Sequence, residues 1–139
     1  MKNKFTPHGE FTLAWHGDVL LVTYAKVWNP QAVQALHHAA QAMWSPPPRR
    51  PWAMLTDARD WLGSSPEVFE RWWIFYQDAV ANGMSTVTDV LPSRFHELVV
   101  KDLMARAAAV TTFRHSHDME EAWQWLALQG FGLQLAHAR

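Results

Sequence analysis

From Trp52 onward the sequence alternates β-rich runs with stretches of helical period, and this alternation constrains the fold more than any other feature. Trp52 to Thr56 predicts a buried strand ending at Asp57. Ser64-Ser65-Pro66-Glu67 predicts the opening of a helix that runs to about Asn82-Gly83, where glycine is the expected stop. Met84 to Leu91 reads as a strand, and Pro92-Ser93 leads into a helix carrying Phe95, Leu98, Val99, Leu103 and Met104. Val110 to Phe113 is a short strand, and a last helix is expected from about His117 to Gln129, broken by Gly130 and Gly132. Parallel strands need a crossover long enough to hold a helix, so this order argues for a mostly parallel sheet.

The first fifty residues add a different element. Phe11, Leu13 and Trp15 alternate with polar or small residues, His16-Gly17-Asp18 supplies a tight turn, and Val19 to Ala25 resumes the β pattern. So short a link predicts an antiparallel hairpin. Asn29 then caps a helix with Pro30 at its first position, and Val33, Leu36, Ala40, Met43 and Trp44 recur at helical spacing before the proline run at Pro46. The expected order is ββαβαβαβα: an α/β fold with a mixed sheet of about five strands and four helices, most of them on one face.

Composition removes several function classes. With 139 residues, 49% hydrophobic and 18% charged, the chain can bury a core and suits one domain, 1–139, with its core at about 11–128 and tails at 1–10 and 130–139. Twelve Lys+Arg against thirteen Asp+Glu leave a formal charge of −1, too little positive charge for a phosphate-backbone binder, so no nucleic acid partner is expected. The absence of cysteine excludes a thiol nucleophile and cysteine-based zinc sites. Met1 to Glu10 carries Lys2 and Lys4 but no apolar stretch of signal-peptide length, and Val19 to Val22 is among the longest aliphatic runs. A cytoplasmic protein without a membrane span is the expectation.

A leading hairpin, a strand ending in an acid and a serine at the next helix start together resemble the STAS domain, closest to its SpoIIAA-like branch of anti-sigma factor antagonists. In that family the third strand carries an Asp and the phosphorylatable serine follows a short loop later; here these are Asp57 and Ser64. The tail Phe113…Ser116…Glu121-Ala122…Trp125-Leu126 is similar to the family's last strand and helix. The resemblance covers roughly residues 11–128. Gly63 stands before Ser64 where the antagonists usually place Asp, and Ser65-Pro66 follows where they soon place Gly, so the kinase-docking pattern is degraded.

Each candidate residue carries a plain reading beside the functional one. Ser64 and Ser65 suit a helix N-cap, Ser64 and Glu67 a capping box; the same helix terminus suits a phosphoserine or bound anion. Asp57, Arg59 and Asp60 fill the expected loop after the third strand, as an ion pair or as loop contacts. His37-His38 point about 100° apart on a helix and do not share an ion. His115, His117 and Asp118 are a conceivable ligand set, but the same stretch reads as a helix start capped by Ser116 or Asp118. Along the second helix Val68, Phe69, Trp72, Trp73, Phe75, Tyr76, Ala79 and Val80 span a wide apolar arc, with Ile74 falling on the polar side. Trp61, Trp73, Ile74 and Phe75 are therefore candidates for the rim of an interface or ligand site.

No nucleophile with an adjacent base stands out, so a hydrolytic or metal-dependent enzyme is the least supported class, and neither cofactor nor metal is expected. The leading expectation is a non-catalytic regulatory module acting through contact with another protein or a second copy of itself. The alternative is an aromatic-lined pocket for a small apolar or lipid-like molecule, because five of the nine tryptophans, Trp15, Trp28, Trp44, Trp52 and Trp61, cluster near the first three strands and their loops.

Overall fold

The computed structural model describes residues 8–133; the outer parts of the expected tails, with Lys2 and Lys4, lie outside them. Ten elements follow the chain: β1 (Glu10–His16), β2 (Val19–Trp28), α1 (Pro30–Met43), β3 (Trp52–Ser64), α2 (Val68–Ala81), β4 (Met84–Val90), α3 (Arg94–Val99), α4 (Lys101–Val110), β5 (Thr112–His115) and α5 (Met119–Leu128). The five strands form one sheet in the order β1-β2-β3-β4-β5. Only β1 and β2 pair antiparallel; every later neighbour is parallel.

Local chemistry explains most boundaries. Gly17 takes φ +62° in the hairpin turn. The Asn29 carboxamide accepts from the Ala32 amide, and Pro30 opens α1 where its missing N–H costs nothing. Gly83, at φ +107°, ends α2, and a Cβ there would stand 3.1 Å from the Trp52 indole nitrogen, which donates to the Asn82 carbonyl at 2.8 Å. At α5 the Asp118 carboxylate accepts from the Glu121 amide at 2.8 Å, so Asp118 and not Ser116 is the cap.

The third expected helix is two. The chain kinks at the buried Val100, whose amide still bonds back to the His96 carbonyl, and α3 and α4 pack as separate short pieces. Among the described residues five helices, α1 to α5, therefore stand where four were expected.

Alternate residues of β3 divide the core. Trp52 and Met54 face the side covered by α1, α2 and α4, with Leu20, Val22, Leu36, Phe75 and Val87. Ala53 and Leu55 face the other side, where α5 alone packs Ala122 and Leu126 against Val19 and Val90. The thick side holds two tryptophan clusters. Trp15, Trp44 and Trp52 meet at one end, with ring centroids 5.2 and 5.5 Å apart. Trp28, Trp61 and Trp72 meet at the other, with both Trp28 and Trp61 5.8 Å from Trp72.

Candidate functional site

The segment expected to be a loop is a strand. β3 passes through Asp57 and runs to Ser64, staying paired with β2 through two register shifts: Asp57 faces Thr23, Asp60 faces Ala25, and Ser64 faces Trp28. The first shift sets Ala58 and Arg59 of β3 against Tyr24 alone, one residue extra, and side-chain bonds hold this bulge. Arg59 grips Asp57 with two N–H···O bonds of 2.8 Å, and its own amide donates to the same carboxylate at 3.2 Å. That pairing holds the Asp57 carboxyl below its ordinary range. Asp60 is exposed beside it. Turn-forming residues thus sit in a strand because a bulge tolerates them.

The serines are placed differently from the expectation too. α2 begins at Val68, and Glu67 at its cap position carries helical torsions with no side-chain cap bond. The amides of Val68 and Phe69 bond to the carbonyls of Ser65 and Pro66, so neither serine caps the helix and these amides are not free for an anion. Ser64 Oγ instead accepts from the Trp61 indole N–H at 2.9 Å. Ser65 Oγ is buried without a partner.

Of the expected rim, Phe75 is fully buried among the residues of the thick core, and Trp61 is buried against Trp72. Neither forms an exposed rim: Phe75 falls on the inward side of the α2 arc, and Trp61 turns inward from β3. Trp73 is half-buried with the Arg106 guanidinium 5.8 Å from its ring centre. Ile74 alone of the four stays open, at 50% exposed.

What the fold does gather lies at the carboxyl end of the parallel strands, where open α/β sheets place their ligands. A cavity of about 40 Å³ sits there between β2–β4, α2 and α4. Tyr24, Trp61, Trp72 and Tyr76 wall it, Thr56 and Asp89 supply polar atoms, and Leu103 and Met104 line its apolar side. Tyr24 and Trp61 each stand nearly perpendicular to Trp72, at 83° and 81°.

Asp89 is the centre of its electrostatics. Its carboxylate is buried at the end of β4 and lies 2.6 Å from His115 Nδ1 at the end of β5. Burial pushes the Asp89 carboxyl above its ordinary value, opposed by the His115 bond; that same bond raises the imidazole, opposed by partial burial. Burial, then the charge on Asp89, pushes the Tyr76 hydroxyl up, and burial does the same to Tyr24. The Tyr24 hydroxyl faces the Trp72 indole, and Tyr76 faces Thr56, but neither contact closes as a hydrogen bond: Trp72 Nε1 and Thr56 Oγ1 remain unpartnered.

His115 thus turns inward to Asp89 while Asp118 caps α5, so the His115, His117 and Asp118 ligand set is not assembled. Among the described residues no group of three or more His, Asp or Glu is arranged to hold a metal. Sequence reasoning missed Tyr24, Thr56, Tyr76 and Asp89. One signal for Asp89 was present: an acid at the carboxyl end of the apolar run Met84 to Leu91 is costly to bury without a partner.

Outside the cavity the same end of the sheet exposes apolar side chains as well as the charged Arg59 and Asp60. Trp61 and His96 meet with ring centroids 5.2 Å apart, which fastens α3 against the end of β3. Next to that contact stand Leu62, 68% exposed, and Phe95, 69% exposed, with Leu98 equally open one turn along α3.

Comparison with known proteins agrees with this architecture. No family model and no curated protein matches the sequence. Among solved structures, an uncharacterised protein of the DUF3478 family with a SpoIIAA-like fold, from Shewanella loihica PV-4, superposes with a TM-score of 0.66. The chain has a SpoIIAA-like, STAS-type fold. That neighbour is 12% identical, with 91% of this chain and 98% of the other covered. An anti-sigma factor antagonist from Mycobacterium paratuberculosis superposes with a TM-score of 0.60 at 12% identity, covering 91% of this chain and 99% of the antagonist. No helix among the described residues is long and apolar enough to cross a membrane.

Proposed function

We propose that this SpoIIAA-like chain is a non-catalytic regulatory module that binds another protein at the carboxyl end of its sheet. The observation that supports the reading is that Leu62, next to Trp61 on β3, and Phe95 and Leu98, on the helix that the Trp61–His96 contact joins to β3, are all largely exposed. Large apolar side chains clustered on a surface mark a contact site more often than scattered ones do. The fold is shared with an anti-sigma factor antagonist, whose named role is regulatory. The surface keeps Leu62 of the Asp57–Ser65 segment but extends to α3 and not to the α2 face expected from sequence, where Ile74 is the exposed large apolar side chain.

A tagged chain isolated with its partner tests this by hydrogen exchange of the purified complex. Protection is expected at residues 61–64 and 93–99, and the double variant Leu62→Asp/Phe95→Asp should weaken the complex at least about tenfold, since buried apolar anchors dominate interfaces. Protection confined to α5, to residues 48–52, or to a second copy of this chain through another face would overturn the reading.

A further inference from the structure

The cavity beneath that surface has a composition that protein contact alone does not require. Four aromatic rings enclose it, two pairs meeting near right angles, and its only charged lining side chain is the Asp89 carboxylate. No lysine, arginine or histidine lines it; His115 stands behind Asp89, in the neighbouring groove that Arg94 and Lys101 also line. Thr56, 6% exposed, brings an unpartnered hydroxyl oxygen to its wall. Native proteins rarely leave such a group unmatched, and it invites a ligand or an ordered water as explanation.

We propose that this cavity is a binding site for a small organic ammonium ion, its head seated on Asp89 within the walls of Tyr24, Trp61, Trp72 and Tyr76. Aromatic faces attract cations through their quadrupole, and an enclosed carboxylate adds a charge-assisted hydrogen bond that a neutral guest cannot match. The hydroxyl oxygens of Thr56, Tyr24 and Tyr76 accept the remaining ammonium protons. An anion would meet Asp89 with Glu97 close behind, whose charge already acts on that carboxyl. A neutral alcohol would leave the carboxylate without a counter-charge on the cavity side.

Size narrows the class. A volume of about 40 Å³ holds about three waters on the measure that one water needs 10–15 Å³. It suits an ammonium head with a few carbons, whose apolar part lies along Leu103 and Met104.

The test needs no variant at first. Wild-type protein is titrated with n-propylammonium, tetramethylammonium, 1-propanol and propionate at fixed ionic strength, following the indole N–H resonances of all its tryptophans. n-Propylammonium should shift Trp61 and Trp72 with one common saturation curve, and tetramethylammonium, which has no N–H to give Asp89, should do so more weakly, while propanol and propionate bind more than about tenfold more weakly than propylammonium. Asp89→Asn should bring ammonium and alcohol to equal affinity, and Trp61→Phe should weaken the ammonium while sparing the Trp15–Trp44–Trp52 cluster. Equal binding of propanol and propylammonium to the wild type, or shifts confined to other indoles, would overturn the proposal whether or not either variant folds. So would the absence of any saturable shift.

Discussion

Thr56 and Thr88 stand one strand apart, both buried near the carboxyl end of the sheet, and their surroundings are opposite. Thr88 lies on the side that α5 covers; its hydroxyl donates to the Arg114 carbonyl at 2.8 Å and lies 2.6 Å from Ser116 Oγ. Around it the core is small and aliphatic, with Leu55, Val90, Ala122 and Leu126 in contact. Thr56 lies on the aromatic side, and its hydroxyl bonds to nothing. Beside it are a cavity, a buried acid and an indole N–H without an acceptor. One face is closed and satisfied; the other is open and polar where the strands end. Polar rules broken in one place and kept everywhere nearby mark a site, because leaving a buried group unpaired costs stability that packing alone would not spend.

If the thin face is the structural half, its truncation should hurt most. Leu55→Ala should cost about 2–5 kcal/mol in urea unfolding, since α5 offers few neighbours to refill the space. A cost under about 1 kcal/mol would show that this face collapses freely and that the contrast is misdrawn. The threonines give the sharper comparison. Thr88→Val should cost about 1–3 kcal/mol by stranding Ser116 and a carbonyl, whereas Thr56→Val should be neutral or stabilising. Equal costs would erase the distinction between the two faces. Ser64→Ala should follow at about 1 kcal/mol, because it leaves the buried Trp61 N–H without its acceptor.

The fold was largely legible in the sequence because its signals are local and agree with one another. Asn29-Pro30 at a helix start, Gly83 at a helix end and the apolar Trp52 to Thr56 run each name one element, and a parallel sheet follows from their alternation. The site was not legible, for two physical reasons. Asp57, Asp60 and Gly63 are turn formers, and only pairing with β2 across a bulge reveals that they lie in a strand. Tyr24, Thr56, Tyr76 and Asp89 come from four different elements, and nothing in their spacing shows that parallel strand ends will bring them to one cavity. The aromatic arc of α2 was read correctly as an arc. Its inward centre, at Phe75, was mistaken for part of a rim because five consecutive large residues hide where the centre lies.

The smallest expected effect separates two of the molecule's acid–base pairs, Asp57–Arg59 and Asp89–His115, by sign. Asp57, bonded by Arg59, holds its proton less tightly than an ordinary carboxyl does. It therefore contributes stability above the ordinary carboxyl range that is lost as pH falls through its lowered value. His115, raised chiefly by its bond to Asp89, keeps a proton in the folded state at pH values where the unfolded chain has released it. Its contribution is complete below the ordinary histidine value and is lost as pH rises through the raised one. Asp89, raised chiefly by burial, acts in the same direction just above the ordinary carboxyl range, with Glu97 reinforcing the shift on both partners. Denaturant midpoints of the wild type should therefore decline as pH rises above the ordinary histidine value of about 6.5, and His115→Gln should flatten that decline. Asp57→Asn should do the reverse, flattening only the acid side. An unchanged slope in His115→Gln above about pH 6.5 would mean that the Asp89–His115 pair carries no proton-linked stability, leaving the cavity's acid as a purely structural charge.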